Sequence, residues 1–152
     1  MNGPEVKAIW KAYKKVKDAC DIVAWEYWMN SIPGTWAFKH KQCPDASVCK
    51  HKAWFCAHGD MQIEGVDHFE TFAPVVNWTT VRLLHVLSLI LGWSSKQVDY
   101  ATAFLHAPIT DEVFVETPQG FREPGKVLKL KCSLCSLKQS LLSACERKAW
   151  KR

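Results

Sequence analysis

The chain has 152 residues, of which 20 are lysine or arginine and 15 are aspartate or glutamate, so its formal net charge is +5 at pH 7. A hydrophobic fraction of 48% and a charged fraction of 23% are typical of a globular domain, which excludes a disordered or fibrous chain. Because the longest apolar-rich stretch, residues 81–91, is far shorter than the roughly 20 residues of a membrane span and the N-terminus lacks the apolar core of a signal peptide, we expect an intracellular protein, cytoplasmic or nuclear.

The first half of the chain predicts a helix followed by a β-hairpin. Pro4 is typical of a helix start, and apolar residues at positions 6, 9, 10, 13 and 16 between lysines predict an amphipathic helix with a basic outer face. The tryptophan-rich stretch 20–31 fits no single period. Residues 35–39 alternate like a strand, and turn residues at 44–47 lead into a second strand over 48–57.

The second half mixes short helices and strands. Residues 65–74 are predicted to form a loop, and Thr79 or Thr80 is predicted to cap a helix that Gly92 ends. The remaining predicted elements are, in chain order, a strand over 94–99, a helical turn over 100–105, strands over 113–116 and 127–130, and a helix-leaning basic tail from 133. This irregular order favours an α+β fold over a repeating βαβ fold.

The charges are unevenly distributed along the chain. Residues 1–59 carry nine basic and five acidic side chains, residues 60–120 carry two and eight, and residues 122–152 carry nine and two. This pattern suits a polyanion held by the basic flanks and a divalent metal held by the acidic middle. Plain solvated surfaces produce the same pattern, so the charge distribution leaves both interpretations open.

The seven cysteines form no even framework, so we expect free thiols. Five potential zinc ligands fall within sixteen residues, but their spacing differs from the close pairs of zinc modules, and we do not predict a zinc site from them. These residues are Cys43, Cys49, His51, Cys56 and His58. The pair Cys132 and Cys135 has the spacing of half a metal or redox site, yet no second pair completes it.

Two groups of residues are candidates for a functional site. Asp99, at the end of a predicted strand, is placed to coordinate Mg²⁺, although it also fits the cap of the helical turn that follows. Basic and aromatic residues of the predicted hairpin suit phosphate contacts and base stacking, and they equally suit a solvated strand edge over a tryptophan-containing core. These residues are Lys39, Lys41, Lys50, Lys52, Trp36 and Trp54.

Six strings in the sequence together resemble one protein family. In chain order they are GTWAFKH (34–40), KAWFCAHGD (52–60), EGVDHFETFAPVVNWTTVR (64–82), QVDYATAFL (97–105), VFVETPQGF (113–121) and GKVLKLKCSLCSLKQS (125–140). Their order and approximate spacing resemble those of the copia-type retrotransposon reverse transcriptase, and the resemblance covers roughly residues 33–140. It divides the chain into an N-terminal helical segment (1–32), a partial reverse transcriptase domain (33–140) and a basic tail (141–152).

The resemblance implies roles for individual residues. Asp99 matches the first metal-binding, catalytic carboxylate of the polymerase palm, with Mg²⁺ as the expected cofactor. The backbone of Tyr100 is then expected to approach the incoming deoxynucleoside triphosphate, and Phe104 matches the bulky residue beside the sugar 2′ position. Lys52 matches a lysine of the fingers near the phosphates.

The resemblance also implies a role for a loop near the end of the matching region. Lys138, Gln139 and Ser140 resemble the loop that positions template and nucleotide. Within this loop the chain has Cys135, Ser136 and Leu141 where the family has tyrosine, glycine and proline. Glycine permits a close backbone approach or a positive φ, and serine restricts both. On the fingers strand, Trp54 and His58 replace arginines of the family.

The resemblance implies an α+β fold consisting of the fingers and the first half of a truncated palm. The implied family activity is RNA-directed DNA polymerisation with an RNA template, a DNA primer and deoxynucleotides. A two-metal site needs several carboxylates around ions about 3.5–4 Å apart. Since the sequence has no Tyr-x-Asp-Asp element, we expect that the chain does not polymerise DNA by itself. The alternatives are a non-catalytic nucleic-acid-binding module and an unselected relic.

Overall fold

The computed structural model describes residues 3–73, 75–96 and 102–146. Over these residues the chain is a mixed α and β structure, as the sequence predicts. Its elements are α1 (Pro4–Asp18), β1 (Cys20–Ala24), β2 (Ser31–Ile32), β3 (Gly34–Gln42), β4 (Val48–Ala57), α2 (Trp78–Ile90), α3 (Ala103–His106), β5 (Phe114–Glu116), β6 (Lys126–Leu130) and α4 (Ser140–Glu146), with a 3-10 turn at Gly59–Met61. No helix within the described ranges is long and apolar enough to span a membrane.

A four-stranded sheet with the order β1-β6-β5-β2 carries most of the core. β6 pairs antiparallel with both β1 and β5, and the short β2 pairs parallel with β5. One face of this sheet packs under α1, the end of β4 and the loop before α4. The resulting buried cluster consists of Val16, Ala19, Cys20, Ile32, Phe55, Ala57, Val113, Val115, Leu128, Leu130, Leu134 and Leu137.

Strands β3 and β4 form the predicted hairpin, with Gly34 opposite Ala57. At its turn the Asp45 carboxylate accepts hydrogen bonds from the hydroxyl and the amide of Ser47, and these bonds lower the pKa of Asp45. The prediction of free thiols is wrong for Cys43 and Cys49, which form a disulfide across this turn with Cα atoms 5.4 Å apart. The hairpin places the two residues at the separation that a disulfide requires, which sequence spacing alone does not reveal.

Helix α1 confirms the predicted amphipathic helix. Pro4 occupies its first turn, while Lys15 and Lys17 lie in its last turn, where positive charge complements the helix dipole. Its inner face buries Val16, and Tyr13 stacks on Phe121 with ring centroids 3.8 Å apart. These contacts fix α1 across the hairpin and the loop after β5.

Helix α2 differs from the prediction at its start. Asn77 is the N-cap, because its side-chain oxygen accepts a hydrogen bond of 2.9 Å from the Thr79 amide; a cap at Thr79 or Thr80 is therefore wrong. Gly92, with a φ of +65°, ends the helix as predicted. None of the α2 residues is buried. The helix therefore exposes a large apolar surface.

Three other predictions need correction or completion. Residues 94–96 have no regular structure, so the strand predicted over 94–99 is wrong there, and residues 97–99 lie outside the described part of the chain. The ambiguous stretch 20–31 contributes β1, because residues 20–24 pair antiparallel with β6 at the edge of the sheet. The tail becomes helical only at Ser140, since residues 133–139 form an irregular loop.

Candidate functional site

A cavity of about 330 Å³ lies along the edge of β4 that does not pair with β3, and α1 and α3 border it. Four lysines line the cavity together with apolar and aromatic side chains, and its described lining contains no carboxylate. The lysines are Lys11, Lys15, Lys50 and Lys52. The cavity therefore suits an anionic ligand.

The sequence places these lysines through two simple periodicities. Lys11 and Lys15 are four residues apart and so lie on one side of α1, whereas Lys50 and Lys52 alternate along β4 and project from one face of the strand. None of the four takes part in the ion pairs found among the described residues. Their charges therefore remain available to a ligand. Each close contact between one of these charges and an opposite charge has an interaction energy of about 1 kcal/mol in water and about 4 kcal/mol at a partly screened site.

The two tryptophans proposed for stacking have different environments. Trp36 is half-buried, packs against Phe55 with ring centroids 5.4 Å apart, and donates its indole N–H to the Gln119 carbonyl oxygen at 3.1 Å. The core interpretation therefore holds for Trp36. Trp54 is 37% exposed at the cavity, and the Lys52 ammonium lies 6.0 Å from its ring centroid. A base or sugar can reach Trp54 beside a positive charge.

The segment after position 99 meets β4 at the same cavity. Asp99 and Tyr100 themselves lie outside the described residues, while Thr102 and Leu105 line the cavity and Phe104 is half-buried in α3. Thr102 has a φ of +58°, in a left-handed region that β-branched residues rarely adopt. Such backbone strain costs about 1–3 kcal/mol and is concentrated at functional sites.

The loop that contains the other predicted site residues is tied to residues 62–67. The buried Gln139 amide donates to the Asp67 carbonyl oxygen at 2.8 Å and accepts from the Gln62 side chain at 2.9 Å. The Lys138 backbone N–H donates to the Gln62 side-chain oxygen at 2.8 Å, and the Ser140 hydroxyl donates to Leu137. These bonds hold the loop in one shape.

Asp67 supports this network through hydrogen bonds of its buried carboxylate. It was not singled out from the sequence as a candidate site residue. It is only 1% exposed, and its carboxylate accepts from the Asn30 amide at 2.6 Å and from the Ile63 backbone N–H at 2.8 Å. Lys11 and Lys15 were also missed as site residues. Their four-residue spacing is visible in the sequence, but it does not reveal which element α1 packs against.

Cys135 joins the loop to the cavity. It lines the cavity, and its backbone forms an isolated β-bridge with Cys56 of β4, while both thiols stay free. Burial, followed by the neighbouring Cys56 thiol, raises the pKa of Cys135. At neutral pH Cys135 is therefore an uncharged residue in the wall of the cavity.

Comparisons with known proteins match most of the chain. The family model described as reverse transcriptase (RNA-dependent DNA polymerase) matches residues 17–147. The chain is similar to the retrovirus-related Pol polyprotein from transposon TNT 1-94 of Nicotiana tabacum, with 39% identity over 69% of this chain and 8% of that protein. Similarity to the Pol polyprotein from transposon RE1 of Arabidopsis thaliana is 36% over 69% of this chain and 7% of that protein.

A relative that matches a shorter part of the chain comes from yeast. The transposon Ty1-ER2 Gag-Pol polyprotein of Saccharomyces cerevisiae is 37% identical over 59% of this chain and 5% of its own length. The chain thus spans less than a tenth of these relatives, and no solved structure matches it. The resemblance to the copia type is confirmed, and the chain belongs to the reverse transcriptase (RNA-dependent DNA polymerase) family found in transposon Pol polyproteins.

Proposed function

We propose that this chain supplies the fingers and the first half of the palm of a transposon reverse transcriptase, and that the cavity along β4 binds the triphosphate of the incoming deoxynucleotide. The observation that carries this proposal is that Lys52, Thr102 and Leu105 line one cavity, so that the fingers strand meets the segment that follows position 99. Family membership supports RNA-directed DNA polymerisation as the reaction.

The proposed roles follow from these positions. Lys52 contacts the phosphates with help from Lys11, Lys15 and Lys50, which line the same cavity. The backbone of Tyr100 and the side chain of Phe104 lie beside the sugar. Residues 138–140 position the RNA template, the DNA primer and the nucleotide, through a loop whose shape their hydrogen bonds maintain.

The domain division and location remain part of this proposal. Residues 33–140 form the partial reverse transcriptase domain, residues 1–32 the N-terminal segment that carries α1, and residues 141–152 the basic tail. The polymerase acts in the cytoplasm or nucleus, where a template RNA and deoxynucleotides are present together.

Mg²⁺ is the cofactor proposed for this site, with Asp99 as its protein ligand. The described lining of the cavity offers ammonium groups and no carboxylate, so the metal depends on Asp99 and on the phosphate oxygens of the substrate. When bound, the metal neutralises triphosphate charge. Because several carboxylates are needed to hold two ions, we propose that these residues do not polymerise DNA by themselves.

Deoxynucleotide binding tests the proposal. Equilibrium dialysis with dATP and Mg²⁺ should give a dissociation constant about tenfold higher for Lys52→Ala than for the unchanged chain, since a hydrogen bond to a charged group contributes about 1.5–3 kcal/mol. The matched control is Lys39→Ala, which removes the same charge from the residue opposite Lys52 in the hairpin but does not line the cavity. Equal losses in the two variants contradict a specific phosphate site.

A non-catalytic nucleic-acid-binding module is the second candidate, which the exposed Trp54 beside Lys52 favours. Such a module binds a single-stranded oligonucleotide without Mg²⁺, and each lost phosphate contact lowers the slope of log affinity against log salt by about 0.7. Primer extension on an RNA template, with Asp99→Asn as control, separates the alternatives further. Extension that depends on Asp99 contradicts our proposal that the chain is inactive alone.

A further inference from the structure

Glu5, His40 and His51 converge at the border of the cavity, which His51 itself lines, although they come from three different elements. Glu5 lies in the first turn of α1, and the two histidines are directly paired across β3 and β4. The His40 Nε2 atom is 3.5 Å and the His51 Nδ1 atom 3.7 Å from the same Glu5 carboxylate oxygen, Oε1. The potential ligand atoms of all three residues lie within 4.8 Å of one another.

His51 supplies a second observation that points to a ligand. Its Nδ1 atom is buried and has no hydrogen-bond partner among the described residues, since the carboxylate at 3.7 Å is beyond hydrogen-bonding distance. A buried nitrogen without a partner costs about 1–3 kcal/mol. Coordination of a cation satisfies this atom at once.

We propose that Glu5, His40 and His51 form a zinc site that fastens α1 to the β3–β4 hairpin. Two imidazoles and one carboxylate are a ligand set that Zn²⁺ accepts, with water in the fourth position. At zinc–ligand distances of about 2.0–2.1 Å, tetrahedral ligand atoms are about 3.3 Å apart, so the observed separations need only small side-chain movements.

The surroundings of the three residues are compatible with a cation. The hairpin lysines at 39, 41, 50 and 52 occupy positions that alternate with the two histidines, so their side chains start from the opposite face of the strands, and Lys50 and Lys52 meet His51 only at the cavity along the edge of β4. Glu5 is 64% exposed and His40 50% exposed, which leaves an entry path for the metal. Since Glu5 lies on the same helix as Lys11 and Lys15, bound zinc also restrains these two cavity lysines.

The zinc site does not rest on the proposed nucleotide function, and it can be tested by metal binding alone, without nucleotide. The full chain, stripped of metal and kept free of added thiol, is titrated with Co²⁺ and then with Zn²⁺. We expect one Co²⁺ per chain with the weak absorption of nitrogen and oxygen ligands, displacement by Zn²⁺, and a zinc-dependent rise in the unfolding temperature.

Variants identify the ligands. Glu5→Gln keeps the size of an exposed side chain, and His51→Asn removes the buried nitrogen; each should weaken Zn²⁺ binding by about tenfold or more, because even partners outside the ligand shell are worth 10–100-fold. His85→Asn, on the exposed surface of α2, is the matched control and should bind as the unchanged chain does. Both variants should also lose the zinc-dependent stabilisation.

Three outcomes overturn the proposal. They are the absence of stoichiometric metal binding at micromolar concentration, a strong thiolate-to-cobalt absorption band that places the metal on cysteines, and unchanged zinc affinity when Glu5, His40 and His51 are replaced together. In the first case the cluster is an ordinary histidine–carboxylate contact.

Discussion

Gly59 lies directly against the backbone of Ser136: a β-carbon on Gly59 would stand 2.0 Å from the Ser136 carbonyl oxygen. Ser136 itself has a φ of +74°. The hydrogen bond from the Ala57 amide to the Cys135 carbonyl oxygen, 3.2 Å long, reinforces this contact. The end of β4 and the loop that carries Lys138 and Gln139 are therefore joined backbone to backbone.

Replacing Ser136 with glycine should stabilise the protein. A left-handed residue with a β-carbon costs about 1–2 kcal/mol, whereas glycine increases the entropy of the unfolded chain by about 0.4–1 kcal/mol, so we expect a net gain of about 0.5–1 kcal/mol. Urea unfolding measures this difference. Ser94→Gly, at an exposed position without a positive φ, is the control and should destabilise slightly. A loss of stability in Ser136→Gly contradicts the strained backbone.

Replacing Gly59 with alanine should have the opposite effect. The added methyl group collides with a backbone oxygen that cannot turn away, and overpacking of this kind costs about 1–3 kcal/mol. Gly3→Ala is the control for steric contact, because nothing lies within 4 Å of its β-carbon position; since Gly3 is the N-cap of α1, we expect it to cost about 0.5–1 kcal/mol. Equal free energies of unfolding for the two variants would show that the loop is not held against β4.

The sequence predicted the local elements well and the long-range contacts poorly. Alternation predicted the strand over 35–39, the turn residues at 44–47 predicted the strand over 48–57, and the family resemblance drew attention to the glycine position that Ser136 now occupies in a left-handed conformation. The Cys43–Cys49 disulfide and the approach of Lys11 to the cavity depend on how separate elements pack. Spacing along the chain contains no such information. The roles of Asp99 and Tyr100 stay predictions, since both lie outside the described residues.

Loss of the Asn77 cap should weaken α2 selectively. Asn77→Ala removes the acceptor for the Thr79 amide at the helix start, which costs about 1 kcal/mol. Because α2 buries none of its residues, this loss should appear as faster amide hydrogen exchange within α2. Thr80→Ala is the control, and it should leave exchange in the first turn nearly unchanged. If Thr80→Ala had the larger effect on exchange, the N-cap of α2 would be a threonine and not Asn77.

Cys20 should make stability fall at high pH. Burial, and next the nearby Cys132 thiol, raises the pKa of Cys20 from 9.0 to about 12. Between these values the folded protein keeps a proton that the unfolded chain loses, so the free energy of unfolding decreases as pH rises, by at most about 1.4 kcal/mol per pH unit.

The contribution of Cys20 can be isolated by substitution. Denaturant unfolding at several pH values from 8 to 11 should show a shallower decline in Cys20→Ala than in the unchanged chain, because alanine has no proton to lose. Cys145→Ala, at an exposed position, removes a thiol outside the core and should retain the full decline. If the free energy of unfolding declines equally with pH in all three proteins, the decline is not caused by Cys20.

Among the polar residues that support the loop, Asp67 should cause the largest loss of stability when it is replaced by alanine. Asp67→Ala leaves the Asn30 amide and the Ile63 backbone N–H without their acceptor in a buried site, and unsatisfied groups of this kind cost about 1–3 kcal/mol each. We therefore expect a loss of about 2–4 kcal/mol in urea unfolding, against less than about 0.5 kcal/mol for Asp60→Ala on the exposed surface. The backbone carbonyl oxygen that accepts from Gln139 remains in the variant, but without the carboxylate's bonds to Asn30 and Ile63 its position is less fixed, so the variant should weaken dATP binding as well. If nucleotide affinity is unchanged while stability falls, the hydrogen bonds beneath the loop support the fold without positioning the loop for nucleotide.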